Sequence, residues 1–320
     1  MTMTNFYRPL RHLMIMAACI AVLLLATRLA AADLRSVETK YGSLKVDGTP
    51  TRIVTLYEGA LDAAIASGAQ PVGAIITRGG TSVAEYILPL AGNIQIVGTP
   101  REINIEAVIA LQPEIILASA QTNRQQYELL SAIAPTVVPD VTPYQRDSWI
   151  QETRLFARAL GREAQGEAAI RKVQDRIEDV SKQVSANVLK DQRDASVVRW
   201  MPQGALVMAS GIFSATLVES VGFEVNDSSL VQEGRPHSHP LSEENLSMID
   251  QNWLFLATLN ADGQEALKAA KRSPAFNRLQ AVEDEQVVPV DGQTWTSAAG
   301  PLAASEILNT IEAAIGRHNL

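Results

Sequence analysis

Arginines and aromatic side chains recur just after the segments that read as β-strands. The chemistry on offer is therefore ligand capture: guanidinium forks pair with carboxylates through charge-assisted bonds, and flat rings cover extended ligands. Tyr57 directly follows the apolar run 52–56, where a phenol could stack on a ligand or donate a hydrogen bond. Arg78 follows the run 71–76, beside Gly79 and Gly80. Arg199 and Trp200 end the run 195–200, and Arg235 lies in a Gly-Arg-Pro loop.

Other chemistry is thinly supplied. His237 and His239 stand at i and i+2 and could ligate a metal. A closed site would need further ligands such as Glu233 or Glu243, and a polar loop ended by Pro240 is the plainer reading. The neighbouring acids Glu243 and Glu244 suit the first turn of a helix. The chain has no G-x-G-x-x-G, no P-loop, no G-x-S-x-G, no H-E-x-x-H and no zinc ribbon. A Ser-His-Asp triad would have to use His237 or His239, since His12 lies near the start and His318 near the end. No serine sits in a recognisable nucleophile turn. Binding without catalysis, cofactor or bound metal is the simpler expectation.

The elements that must position these residues alternate in type. Segment 51–56 reads as a strand, 59–67 as an Ala-rich helix stopped by Gly68 in the left-handed cap position, and 71–76 as a strand. That order implies parallel pairing. Helix 105–111 precedes strand 114–119, and 129–133 precedes 136–138. Helix 149–160 is ended by Gly161. Ile170, Val173, Ile177, Val180 and Val184 then follow at spacings of 3, 4, 3 and 4, one apolar face of a helix over 162–187. At 1.5 Å per residue it spans roughly 40 Å, enough to run past two domains. The pattern restarts with strand 195–200, helix 215–221 stopped by Gly222, helix 241–249, strand 253–258, strand 287–290 and helix 302–315. Stretches 105–119 and 130–138 are echoed in order by 243–257 and 279–288. Two α/β lobes joined by one helix leave a cleft at strand carboxyl ends, where small ligands bind.

The 320 residues carry 47% apolar side chains, enough for two cores. The first 32 read as a cleavable secretory signal: Arg8 and Arg11, an apolar run over 13–26 too short for a membrane span, then Ala30 and Ala32 before Asp33. Arg28 beyond the apolar run keeps an uncleaved anchor as the alternative, and without an Arg-Arg pair a twin-arginine route is unsupported. The one cysteine, Cys19, falls inside this segment, so the mature chain has no disulfide and no cysteine to carry a lipid. Taking the signal's three arginines from the net charge of −8 leaves −11 for the mature part. That charge disfavours nucleic acid and anionic membrane but not an anionic ligand in a locally basic cleft. A soluble, monomeric periplasmic protein is expected.

Five stretches, 52–73 (RIVTLYEGALDAAIASGAQPVG), 97–119 (VGTPREINIEAVIALQPEIILAS), 215–222 (ATLVESVG), 241–256 (LSEENLSMIDQNWLFL) and 295–310 (WTSAAGPLAASEILNT), occur in one order around the long helix. Together they resemble the iron-siderophore family of periplasmic binding proteins, the class of ferric-citrate, ferric-hydroxamate and vitamin B12 binders. The likeness covers about 51–315. It implies a class III architecture: α/β, two Rossmann-like lobes with mainly parallel sheets, joined by one long rigid helix. The expected division is a signal over 1–32, an N-terminal lobe over 33–160, the linking helix over 161–190 and a C-terminal lobe over 191–320.

The resemblance also implies roles. Arg101, after Val97-Gly98-Thr99, and Trp295, after strand 287–290, fall where the family contacts its ligand. With Tyr57, Arg78, Arg199, Trp200 and Arg235 they make the expected binding set for an anionic Fe(III) chelate, with core packing at the strand end as the equal alternative for Trp200. Trp149 and Trp253 read as core. Glu106 and Glu219 match the glutamates, one per lobe, that meet arginines of an ABC permease, where opposite charges fix orientation and speed encounter. Heme or a corrinoid is the alternative cargo, heme needing Tyr57 or His237 as an axial ligand. An extracytoplasmic sensor or enzyme on the same scaffold, and an N-terminally anchored adhesin-like domain, are the rival classes.

Overall fold

The computed structural model describes residues 34–142, 144–227 and 229–317. The expected signal, its cleavage site, Cys19, His12 and His318 lie outside the described residues.

The chain opens with a hairpin that the sequence reading missed: β1 (Arg35–Thr39) pairs antiparallel with β2 (Gly42–Val46). Each strand buries a valine, Val37 and Val46, into the first core. The first sheet then forms in the order β5-β4-β3-β6-β7, all parallel: β3 (Ile53–Thr55), β4 (Gly73–Ala74), β5 (Gln95–Ile96), β6 (Ile115–Leu117) and β7 (Thr136–Val137). Alternation assigns its two faces. Ile53, Ile115, Leu117 and Val137 pack with Phe156 and Leu160, while Val54, Ile116 and Val97 pack with Val108 and Leu130. Gly73 lets Leu111 pack closely on the sheet, since a Cβ there would come within 2.5 Å of Leu111 Cδ1 and make that side chain shift.

The helices of this lobe are α1 (Glu58–Ala66), α2 (Ile105–Ala110), α3 (Arg124–Ser131) and α4 (Ser148–Ala159). Asn104 and Asn123 cap α2 and α3 by accepting from Ala107 N and Gln126 N. Gly68 after α1 and Gly161 after α4 adopt left-handed φ of 77° and 68°, as stop signals of that kind require.

Next comes α5, Glu163–Asn187, 25 residues and about 37 Å long. Its buried face (Ile170, Val173, Val180 and Val184) joins the second core. At its start Gly166 lies so close to Ala157 of α4 that a Cβ would approach to 2.4 Å. Toward its other end Arg176 pairs with Glu312 at 2.8 Å and Gln183 bonds the same carboxylate at 2.6 Å. The helix thus leans on the first lobe at one end and on the last helix of the chain at the other.

The second sheet has the order β10-β8-β11-β12, all parallel: β8 (Asp194–Met201), β10 (Glu224–Val225), β11 (Trp253–Thr258) and β12 (Val287–Asp291). Strand β9 (Gly204–Val207) folds back antiparallel on the end of β8, a hairpin not anticipated from sequence. Helices α6 (Phe213–Ser220), α7 (Ala261–Ala270), α8 (Pro274–Asn277), α9 (Gln280–Glu283), α10 (Gly292–Thr296) and α11 (Pro301–Arg317) complete the lobe. Segment 241–249, expected as an α-helix, is instead a 3-10 turn over Glu243–Ile249, and α7 to α9 had no counterpart in the sequence reading.

A buried carboxylate ties the lobes together a second time. Asp62 of α1 accepts from the backbone N–H groups of Leu302 (2.9 Å) and Ala303 (2.8 Å), the open N-terminus of α11, and from the Tyr86 hydroxyl at 3.1 Å. Gly300 precedes it at φ 119°, where a Cβ would meet Asp62 Oδ1 at 2.5 Å.

Candidate functional site

A cleft runs between the lobes at the carboxyl ends of both sheets. It has two adjoining compartments, about 400 Å³ and about 770 Å³, which meet at Arg78, Arg101, Arg199 and His237. The first extends along Tyr57, Glu152, Trp149 and Trp295, the second along Arg235, Gln203 and His239.

Of the seven expected binding residues, six line this cavity and one does not. Arg199 and Trp200 are neighbours on β8, and successive side chains of a strand point to opposite faces. Ala195 and Val197 face the core beneath the cleft, and Arg199, in the same phase, reaches the cavity. Val198 and Trp200 face the other way. Trp200 is 3% exposed, packs edge-to-face on Phe276 at 5.9 Å, and is corrected to a core residue. Trp295 reaches the first compartment but is 2% exposed and stacked on Phe255 at 5.0 Å, so it is as much core as wall. It lies on the short helix α10, capped by Asp291, rather than in an open loop.

Arg199 is the anomaly of the site. It is 5% exposed, its Nη1 donates to Thr296 Oγ1 at 3.3 Å, and its Nε has no partner. Among the described residues no carboxylate lies in ion-pair contact with Arg78, Arg101, Arg199 or Arg235, although Glu58 attracts Arg78 at longer range and other arginines form ion pairs. Burial, then the neighbouring charge of Arg78, pushes the Arg199 pKa down to about 10. A buried cation left without a counterion is costly unless a ligand supplies one.

Two acids also line the first compartment, and sequence reading missed both. Glu152 of α4 is 7% exposed, and burial raises its pKa to about 7, opposed by a hydrogen bond from the Tyr57 hydroxyl. Glu58 accepts from Arg78 N at 3.2 Å and is raised by burial as well. Burial, reinforced by Glu152 and Glu58, holds Tyr57 well above the ordinary phenol range, which disfavours the phenolate a heme iron would take. The Tyr57 ring lies over Gly59, where a Cβ would come within 2.6 Å of it. Trp149, expected as core, is both: it packs edge-to-face on Phe213 at 6.2 Å and lines the cavity.

The His237–His239 segment is not a free loop. It runs along β9: Ser238 N donates to Val207 O at 2.8 Å, and Val207 N donates to Ser238 Oγ at 3.0 Å. Both histidines line the second compartment. Among the described residues no cluster of three His, Cys, Asp or Glu side chains could hold a metal ion.

The expected docking glutamates differ in state. Glu106 is exposed in the first turn of α2. Glu219, near the end of α6, is half-buried and pairs with Arg146 at 2.7 Å. Its carboxyl is raised by burial, lowered by Arg146 and raised again by Asp227.

Two α/β lobes around an arginine-lined cleft are the arrangement of a solute-binding protein. Residues 53–294 match the periplasmic binding protein family, and the chain belongs to it: it is an extracytoplasmic substrate-binding protein, not an enzyme. It is 28% identical over 289 residues to the "Probable siderophore-binding lipoprotein YfiY" of Bacillus subtilis, covering 87% of this chain and 86% of that one. It is 26% identical over 278 residues to the achromobactin-binding periplasmic protein of Dickeya dadantii, covering 83% and 87%. Staphylococcus aureus SirA, solved with staphyloferrin B, superposes with a TM-score of 0.76 at 27% identity over 88% of this chain and 98% of that one.

Proposed function

We propose that this protein captures a negatively charged ferric siderophore-type chelate, rich in carboxylates, and delivers it to an ABC importer without chemical change. The observation that carries this reading is Arg199, buried and uncompensated where the two compartments meet, with Arg78 and Arg101 beside it. Carboxylates presented in pairs answer guanidinium forks, and each charge-assisted bond contributes about 1.5–3 kcal/mol. The names of the relatives point to the same ligand class.

The remaining roles follow from it. The lobes 33–160 and 191–320, with helix 161–190 between them, form a rigid clamp that works as a monomer. Glu106 and Glu219 dock on the permease, and Glu219 must exchange Arg146 for a permease arginine. The mature protein starts at Asp33 and carries no lipid, because Cys19 lies inside the apolar leader; YfiY is named as a lipoprotein, so this chain would differ from it. Calorimetric titration of the 33–320 protein with ferric citrate, a ferric hydroxamate, a ferric catecholate, heme and cobalamin tests the reading. Tight binding of a carboxylate-type chelate supports it. Saturation by heme or cobalamin alone replaces the cargo, and no binding by any of the five returns the cleft to a sensor or enzyme role.

A further inference from the structure

The tip of the N-terminal hairpin touches the ligand site from behind. Lys40 and Tyr41 form the turn between β1 and β2, ahead of the residues that match the family. Lys40 Nζ donates to the carbonyl of Ala120 at 2.7 Å, Tyr41 Oη donates to that of Thr122 at 2.7 Å, and Lys40 N donates to that of Val138 at 2.9 Å. The Tyr41 ring is held in turn, stacked on Tyr127 at 4.4 Å with the Arg124 guanidinium 4.8 Å from its centroid.

Ala120 and Thr122 flank Gln121 in the turn after β6, and residues 119–122 line the first compartment. The turn's own bonds are few: Thr122 N to Ser119 O at 2.9 Å and Gln121 N to Ser119 Oγ at 3.1 Å. Gln121 Nε2 reaches Tyr144 Oη at 3.4 Å, a second residue of the cavity wall. Two side-chain donors on alternate carbonyls therefore fix a short turn in which Ala120 and Thr122 are buried and Gln121 alone is exposed. An ordered turn at a binding wall gains affinity because less conformational entropy is lost when the ligand arrives.

We propose that Lys40 and Tyr41 are positioning residues for the ligand site: the hairpin tip holds the Ser119–Thr122 turn in its binding-ready form without touching the ligand. The role rests on the cleft being the chelate site.

Tyr41→Phe is the test variant, because it keeps the ring stack and the Arg124 contact and removes only the bond to the Thr122 carbonyl. Amide exchange in the ligand-free protein reads the turn directly. The Thr122 amide is expected to exchange about fivefold faster, the factor for one lost net hydrogen bond, with amides of β11 unchanged. Ferric citrate affinity should fall by a similar factor, and Lys40→Met should do the same through the Ala120 carbonyl. Unchanged Thr122 exchange overturns the proposal, and so does faster exchange with an unaltered ferric citrate dissociation constant. If the wild-type protein binds no ferric chelate, the reading of the cleft fails, and the exchange rates alone still decide whether the tip fixes the turn.

Discussion

Replacing Arg199 by methionine separates a binding role from a structural one, because the two predict opposite signs. The substitution keeps the aliphatic stem and removes the charge. In the free protein that charge is buried and unpaired, and its pKa is pushed from the ordinary guanidinium range down to about 10. At 1.36 kcal/mol per unit, burial and Arg78 together oppose the charged form by about 3 kcal/mol. Arg199→Met should therefore stabilise the ligand-free protein by about 1–3 kcal/mol, the lower figure allowing for the lost bond to Thr296. With ligand present the sign reverses. Loss of one charge-assisted bond of about 1.5–3 kcal/mol weakens an anionic chelate roughly 10- to 150-fold. Urea denaturation gives the first number and calorimetric titration the second. A variant that is less stable without ligand and binds ferric chelates as wild type would refute the reasoning and make Arg199 a packing residue.

Glu152→Gln should flatten the pH dependence of stability. The folded pKa of about 7 lies above the ordinary 4.5, so the wild-type protein loses up to about 3 kcal/mol as pH rises through that interval. Melting temperatures at pH 5 and pH 8 should differ less in the variant; part of the slope will remain, because Asp62, also raised to about 7, titrates in the same window. Asp62→Ala strands two buried N–H groups at the start of α11 and should cost about 2–3 kcal/mol, read as a lower urea midpoint; a midpoint unchanged from wild type would mean that α11 is held by its packing alone. Glu106→Arg and Glu219→Arg should abolish transport in cells while leaving ligand affinity within about twofold, and Glu219→Arg should also cost up to about 1 kcal/mol of stability through the lost Arg146 pair. Uptake that survives both reversals removes these residues from the docking surface.

Most of the architecture is legible in the residues. The spacing of Ile170, Val173, Val180 and Val184 specifies a helix that serves two lobes, and Gly68 and Gly161 mark helix ends through the left-handed backbone they alone adopt cheaply. Strand-to-helix alternation gives parallel sheets because a parallel neighbour needs a crossover. The hairpin β1–β2 escaped because its short strands with exposed residues carry weak alternation, and β9 because four residues, three of them buried, show no alternation at all. Helix α7 escaped because its buried face is Gly263, Leu267 and Ala270, with one large apolar side chain among them.

In the site, arginines at strand ends were readable because the topology puts every such end at the cleft. Placing Arg199 and Trp200 there together ignored strand alternation, which permits one or the other. Glu152 and Trp149 were missed for a different reason. They lie on the first turns of a helix remote in sequence from the strand ends, and only the packing of α4 against α1 brings them to the cavity. The signal available was Glu152 itself, an acid on the apolar side of an amphipathic helix.

The most direct test of the central claim is the position of iron. Crystals grown with the tightest-binding ferric chelate, measured at the iron absorption edge, should show a single anomalous peak in the interlobe cavity, with ligand carboxylates on Arg199 and on Arg78 or Arg101. A peak coordinated by His237 and His239, or one outside the cleft, would contradict the account.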